Sequence, residues 1–179
     1  MINENTPQEY TRVLLSAEQI RRRVQEMARN ISMDFHGHTI HVVGVLENSF
    51  IFMADLVREL RIPVVCQFIK PALTEADSKT EIFFSPEVDV QGKHVLLVEA
   101  LVQSGVTSEF LMRNLHGRGA ASVKLAAFLD KQSVRRIPLQ PDYFGFLLNE
   151  SFVVGYGLGT PHFGRNLPYI AARAEAAKG

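Results

Sequence analysis

Five consecutive residues, Ser104-Gly105-Val106-Thr107-Ser108, set hydroxyls and a glycine directly before a stretch of helical periodicity. A loop of this kind at a helix start gathers backbone N–H groups and hydroxyls around one point, where the positive end of the helix dipole favours an anion. Phosphate suits that chemistry. The same residues also satisfy an ordinary helix cap, in which a hydroxyl accepts a bond from a first-turn amide, so the pentapeptide by itself leaves both readings open. The one thiol, Cys66, lies in the apolar run Pro63-Val64-Val65-Cys66-Gln67-Phe68 and reads as a buried, inert side chain. With no second cysteine it cannot form an intramolecular disulfide, which fits a reducing compartment.

Such a loop needs a strand to deliver it and a helix to leave by. Gly92-Lys93 leads into the apolar run His94 to Ala100, which reads as a central strand. The turn Gln103-Ser104-Gly105-Val106 opens a helix carrying Phe110, Leu111 and Leu115 that ends near Gly117 and Gly119. Ser122 to Leu129 then completes a strand-helix-strand unit, for which a right-handed parallel connection is expected. Upstream, Ser16 can cap a helix whose Ile20, Val24, Met27 and Ile31 repeat at helical spacing. His41 to Leu46 reads as a buried strand, Ser49 to Leu60 as a helix and Pro63 to Ile69 as a second strand. The polar, breaker-rich stretch from Lys70 to Lys79 reads as a mobile loop, over about residues 70–80. Two β-rich segments, Asp142 to Leu148 and Phe152 to Tyr156, close the chain around Asn149-Glu150.

A chain of 179 residues, 46% of them apolar, can bury one sizeable core, so a single domain over residues 1–179 is expected. Nineteen basic residues balance nineteen acidic ones, which argues against nucleic acid or an anionic membrane as a partner and makes any phosphate recognition local. No apolar stretch reaches membrane-spanning length, and the N-terminus lacks the basic-then-apolar order of a secretory signal. A cytoplasmic location is the expectation.

The segment Val95-Leu96-Leu97-Val98-Glu99-Ala100-Leu101-Val102-Gln103-Ser104-Gly105-Val106-Thr107 resembles the signature of type I phosphoribosyltransferases. There an apolar strand ends in two acids, two apolar residues and then Asp-Ser/Thr-Gly-x-Thr. Further segments match the hypoxanthine/guanine branch in order: Asn48 to Leu56, Leu129-Asp130-Lys131, Asp142 to Phe146, Phe152 to Gly157, and the tail Arg165-Asn166-Leu167-Pro168-Tyr169-Ile170. The resemblance implies an α/β fold: a central, mainly parallel sheet flanked by helices, with a small hood from the chain ends. It also implies purine displacing pyrophosphate from 5-phosphoribosyl 1-diphosphate with Mg2+ as cofactor, in a homodimer or homotetramer. Carried over, Ser104, Gly105, Val106, Thr107 and Ser108 would hold the ribose 5-phosphate. Lys131 would hydrogen-bond the six-position oxygen of the purine, Phe152 would stack on the base, and Val153 would offer backbone contacts. As bland alternatives, Lys131 is a solvated charge at a strand end and Phe152 a core aromatic.

The departures fall where the reaction happens. The acid pair appears as Glu99 followed by Ala100, and the acid proposed to take the N7 proton is Gln103, an amide that cannot act as a base near neutral pH. The metal-binding Asp expected after Leu158 is Gly159. The Leu-Lys/Arg-Gly turn, whose non-proline cis peptide and cation serve pyrophosphate in the family, appears as Leu46-Glu47-Asn48 with its charge inverted. A carboxylate about 4 Å from a phosphate costs roughly 4 kcal/mol per charge pair at an effective dielectric near 20. Ala72-Leu73-Thr74 stands about where the family's loop has Ser-Tyr. The pattern points to an impaired or repurposed purine phosphoribosyltransferase that still binds a purine nucleotide or another phosphate-bearing small molecule. Two alternatives are an active enzyme in which His162 or Asp77 stands in for the lost acids, and a regulatory or scaffolding subunit.

Overall fold

A computed structural model of the chain describes residues 10, 12–73, 80–84, 88–160 and 162–173. The order of elements is β1 (Arg12–Leu15), α1 (Ala17–Asp34), β2 (Ile40–Val45), α2 (Phe50–Glu59), β3 (Val64–Leu73) and β4 (Thr80–Phe84). There follow β5 (His94–Val102), α3 (Val106–Gly117), β6 (Ser122–Asp130), a short 3-10 turn (Gln132–Val134), β7 (Tyr143–Leu147), β8 (Val153–Val154) and β9 (Ile170–Ala172).

The main sheet runs β4-β3-β2-β5-β6-β7, with β3, β2, β5, β6 and β7 parallel and β4 antiparallel at one edge. Burial on both faces explains the apolar run of β5. Leu96, Val98 and Ala100 join the core under α1 and α2, whereas Val95, Leu97 and Val102 join the core under α3. The helix α1 starts where the sequence places it, with a reciprocal cap: Ser16 Oγ accepts the Gln19 N–H at 3.2 Å and Gln19 Oε1 accepts the Ser16 N–H at 2.8 Å. Its buried stripe of Ile20, Val24, Met27, Ala28 and Ile31 packs with Phe52, Met53 and Leu56 of α2 in one core. Arg23 on α1 reaches β7, donating to the carbonyls of Gly145 at 2.9 Å and Phe144 at 2.8 Å, and so occupies acceptors that an open sheet edge would offer to another strand.

A second, three-stranded antiparallel sheet, β1-β9-β8, joins the two ends of the chain into a hood. Val153, Ile170 and Ala172 bury into the same core as α1 and α2, which seats the hood on the main sheet. No helix among the described residues is long and apolar enough to cross a membrane.

Two readings of the sequence are corrected. The stretch expected to be a loop from residue 70 is strand up to Leu73 and strand again from Thr80, paired Leu73 with Thr80 through Ile69 with Phe84. The breaker Pro71 is tolerated because β3 pairs with β2 only as far as Ile69, so beyond it the strand has β4 alone as neighbour and one side unpaired. Thr74 and Asp77 lie outside the described residues. Cys66 is exposed rather than buried, with Val65 and Phe68 about 40% exposed beside it, because no helix fully covers this end of the sheet. Partial burial still pushes its thiol pKa up. The short strands β1, β4 and β9 carry too few residues for periodicity to reveal them.

Candidate functional site

The chain leaves β2 toward β3 on one side of the sheet, while β5, β6 and β7 add on the other. Ligands of open parallel sheets bind in the crevice such a reversal makes beyond the carboxyl ends of the strands. A cavity of about 170 Å3 sits there, lined by Val45, Leu46 and Asn48 after β2 and by Glu99, Ala100, Leu101 and Gln103 at the end of β5. Two segments distant in sequence thus meet because β2 and β5 are hydrogen-bonded neighbours.

The loop between β5 and α3 forms one wall. Gly105 is left-handed, with φ of 83°, and a Cβ there would meet Ile137 Cγ1 at 3.0 Å and Arg135 Cδ at 3.3 Å. The backbone angle favours glycine, and a Cβ would in addition press on both side chains. The segment after β6 pins the loop from outside, since the Arg136 N–H donates to the Ser104 carbonyl at 3.0 Å. Ser104 Oγ accepts the Val106 N–H at 3.3 Å, so the capping reading holds for that one amide. The Gly105 cap position supplies no side-chain bond to α3, and Val106 and Thr107 are exposed. Ser108 departs from expectation: it is buried on the inner face of α3, and its hydroxyl hydrogen-bonds Glu99 instead of facing the loop.

Glu99 and Ala100 point to opposite faces of β5, as consecutive strand residues must. Glu99 faces α3 and is almost wholly buried, and loss of hydration drives its pKa up to about 7 against the pull of Ser108 and the Arg135 guanidinium. One oxygen, Oε1, has no hydrogen-bond partner among the described residues, nor has Nη1 of Arg135, whose Nη2 is ion-paired with the buried Asp130. Ala100 offers no polar atom in its place, and Gln103 is exposed at the cavity wall.

The peptide bond between Leu46 and Glu47 is cis. Glu47 Oε1 accepts a bond from Lys70 Nζ at 2.7 Å, and Oε2 lies 3.5 Å from Arg165 Nη1. The bond from Lys70, its charge and that of Arg165 hold the carboxyl below its usual range. The inverted charge is therefore compensated by cations from β3 and from the loop before β9, and Arg165 is further anchored by donation from Nε to the Thr160 carbonyl at 3.3 Å.

Lys131, at the end of β6, is buried, with Nζ donating to the Glu150 carbonyl at 2.6 Å, so it is no solvated surface charge. That bond ties it to the segment carrying Phe152 and Val153. Phe152 is 45% exposed, with the Tyr10 ring 5.8 Å away, so it presents aromatic surface instead of filling the core, while Val153 is buried in β8. His162 is exposed on the turn after Thr160.

The residues present do not fit a magnesium ion. Glu99 is a single buried carboxyl with its charged form disfavoured, Ala100 has no donor, and Gly159 has no side chain. No group of three or more potential ligands stands together among the described residues. Nor can Gly159 simply regain an acid: a Cβ there would lie 2.5 Å from the Phe163 carbonyl oxygen. Lys70, Asp130 and Arg135 escaped notice in the sequence because each lies apart from the quoted motifs' functional positions, and only the fold brings them in. A larger cavity, about 440 Å3, lies elsewhere, between α1, α2 and Asn166 to Pro168.

The sequence profile described as phosphoribosyl transferase domain matches residues 12–160. A hypoxanthine-guanine phosphoribosyltransferase of Aquifex aeolicus is 35% identical over 164 residues, covering 89% of this chain and 92% of that protein. The bifunctional protein TilS/HprT of Listeria innocua is 33% identical over 94% of this chain, which spans only 26% of that protein's length. Among solved structures, a hypoxanthine-guanine phosphoribosyltransferase from Bacillus anthracis superposes with a TM-score of 0.86 at 35% identity, covering 93% of this chain and 99% of that one. A ternary substrates complex of hypoxanthine phosphoribosyltransferase from Trypanosoma cruzi gives 0.87 at 30% identity, covering 94% and 98%.

Proposed function

The chain belongs to the phosphoribosyltransferase family and is purine phosphoribosyltransferase-like, and from that premise we propose that it binds a purine nucleotide while its transfer chemistry is impaired. In this reading residues 1–179 act as one unit. Ser104 to Thr107 hold a phosphate through the amides and hydroxyls at the start of α3, and Ser108 supports Glu99 from behind. Phe152 stacks on the base, Lys131 contacts the six-position oxygen when its bond to Glu150 is exchanged, and Val153 offers backbone contacts.

One observation carries the impairment: the cavity between β2 and β5 is lined by Ala100 and Gln103 where proton transfer and a metal would need carboxylates. Loss of a positioned base typically costs about 10²- to 10⁴-fold, and without metal carboxylates the developing pyrophosphate charge is less stabilised. An active transferase with substituted groups is the second reading, favoured by Glu99, whose pKa of about 7 suits proton transfer near neutrality. A cytoplasmic homodimer or homotetramer belongs to the proposal too, supported by the exposed apolar residues Val65 and Phe68 on β3.

Calorimetric titration with guanosine monophosphate, with and without magnesium, together with a hypoxanthine and guanine turnover assay tests these readings. Saturable nucleotide binding, less than a twofold effect of magnesium and no detectable turnover are expected. Turnover at about 1 to 100 per second, the ordinary enzyme scale, refutes impairment and establishes the second reading. Absence of nucleotide binding refutes the site.

A further inference from the structure

Lys70 and Arg165 come from segments distant in sequence, β3 and the loop before β9, and converge on one carboxylate next to the cavity wall. That carboxylate belongs to Glu47, which stands between Leu46 and Asn48, two residues of the cavity wall. Its side chain is 53% exposed, and those of Lys70 and Arg165 are 59% and 24% exposed. Ion pairs this open to water contribute little to stability, so the consequence of the cluster is local: two cations that could face an incoming anion are already answered.

We propose that Glu47 is a built-in anion that fills the seat between Lys70 and Arg165, so that this mouth of the cavity refuses a second, pyrophosphate-type ligand. This deepens the nucleotide-site reading and rests on it for the phosphate at Ser104 to Thr107. The two anion positions are then separate by construction. The loop at α3 draws on backbone amides and hydroxyls, and the acids beside it are engaged, Glu99 with Ser108 and Glu109 with Arg113. The Leu46 to Asn48 turn carries a carboxylate already bonded to both cations within reach. A ligand bearing one phosphate meets only the first position. A ligand bearing a diphosphate must displace Glu47 from both cations and then remain beside its charge. Neutralising Glu47 reverses this, since the local charge of the three side chains goes from +1 to +2 and both guanidinium and ammonium become free to donate.

The test is titration of the full chain with inorganic pyrophosphate in the absence of magnesium, comparing the unmodified protein, Glu47→Gln and the double variant Glu47→Gln with Arg165→Gln. Glu47→Gln is expected to bind pyrophosphate about tenfold or more tighter than the unmodified protein, with the gain shrinking at high salt. The double variant is expected to lose most of the gain. Pyrophosphate affinity of Glu47→Gln within twofold of the unmodified protein overturns the proposal, as does a gain that survives undiminished in the double variant. Guanosine monophosphate is titrated in parallel: its failure to bind any of the three proteins refutes the nucleotide reading, and the pyrophosphate comparison still decides the role of Glu47. Thermal melts of all three are expected to agree within a few degrees, since the side chain is exposed.

Discussion

Glu99→Gln should raise stability at alkaline pH relative to mildly acidic pH, by an amount that follows from the burial of a single carboxyl. In the folded chain its pKa lies at about 7, against 4.5 for the ordinary group. The folded state therefore holds the proton more tightly than the unfolded state does. Stability from this group is fully present below pH 4.5, falls as pH rises from there to about 7, and changes no further above that. A gap of about 2.5 pH units at 1.36 kcal/mol each is about 3 kcal/mol. Other groups titrate in the same window, so the informative quantity is the difference between the two proteins. The amide of Gln keeps the shape of the protonated acid and cannot ionise. Denaturant unfolding at intervals from pH 4.5 to 8.5 should show the variant gaining about 3 kcal/mol on the unmodified chain across that range. For a chain of this size that is roughly 6–12 °C in Tm. Two stability profiles that run parallel from pH 4.5 to 8.5 would mean that Glu99 ionises freely, and would remove the support it lends to an active enzyme.

Gly105→Ala should destabilise the fold by about 1–2 kcal/mol through its left-handed backbone and its contact with Ile137, and should abolish binding of inorganic phosphate; unaltered phosphate binding in a calorimeter would count against the loop as the anion seat. Adding acids back should also be unequal by position. The triple variant Glu47→Lys, Ala100→Asp, Gln103→Asp is the combination with the best prospect of measurable hypoxanthine turnover, and adding Gly159→Asp to it should lower Tm instead of raising activity, because its Cβ meets the Phe163 carbonyl. A fourfold variant more active than the triple one, at equal Tm, would show that the loop around Gly159 rearranges readily.

The β5-loop-α3 unit was legible because its signals are local. A strand buried on both faces needs an unbroken apolar run, a left-handed turn needs Gly105, and the helix needs its stripe of Leu111 and Leu115. The parallel step from β5 to β6 followed from the strand-helix-strand pattern and β8 from the β-rich segment Phe152 to Tyr156, whereas the hood followed from resemblance, since strands as short as Arg12–Leu15 and Ile170–Ala172 carry no readable pattern. Cys66 was misjudged for a related reason. An apolar run predicts burial only where something covers it, and cover is a property of the neighbouring elements. Ser108 shows the same limit on a smaller scale: its place in a hydroxyl-rich loop suggested an anion, but one helical step turns it to the inner face and onto Glu99.

Glu47, Ala100, Gln103 and Gly159 read in the sequence as separate departures from the resembled motifs, each free to be undone. In three dimensions they are tied to their surroundings. Glu47 is paired with Lys70 and Arg165, Glu99 is held by Ser108 within reach of the charge of Arg135, and the backbone at Gly159 passes so near the Phe163 carbonyl that a Cβ there would force a shift. Beside the cavity the one carboxylate of the turn meets two cations, Lys70 and Arg165, and leaves a net charge of +1. Under the proposed reading Glu47, more than any missing acid, decides whether this position accepts a second anion, because both cations beside it are already engaged by its carboxylate.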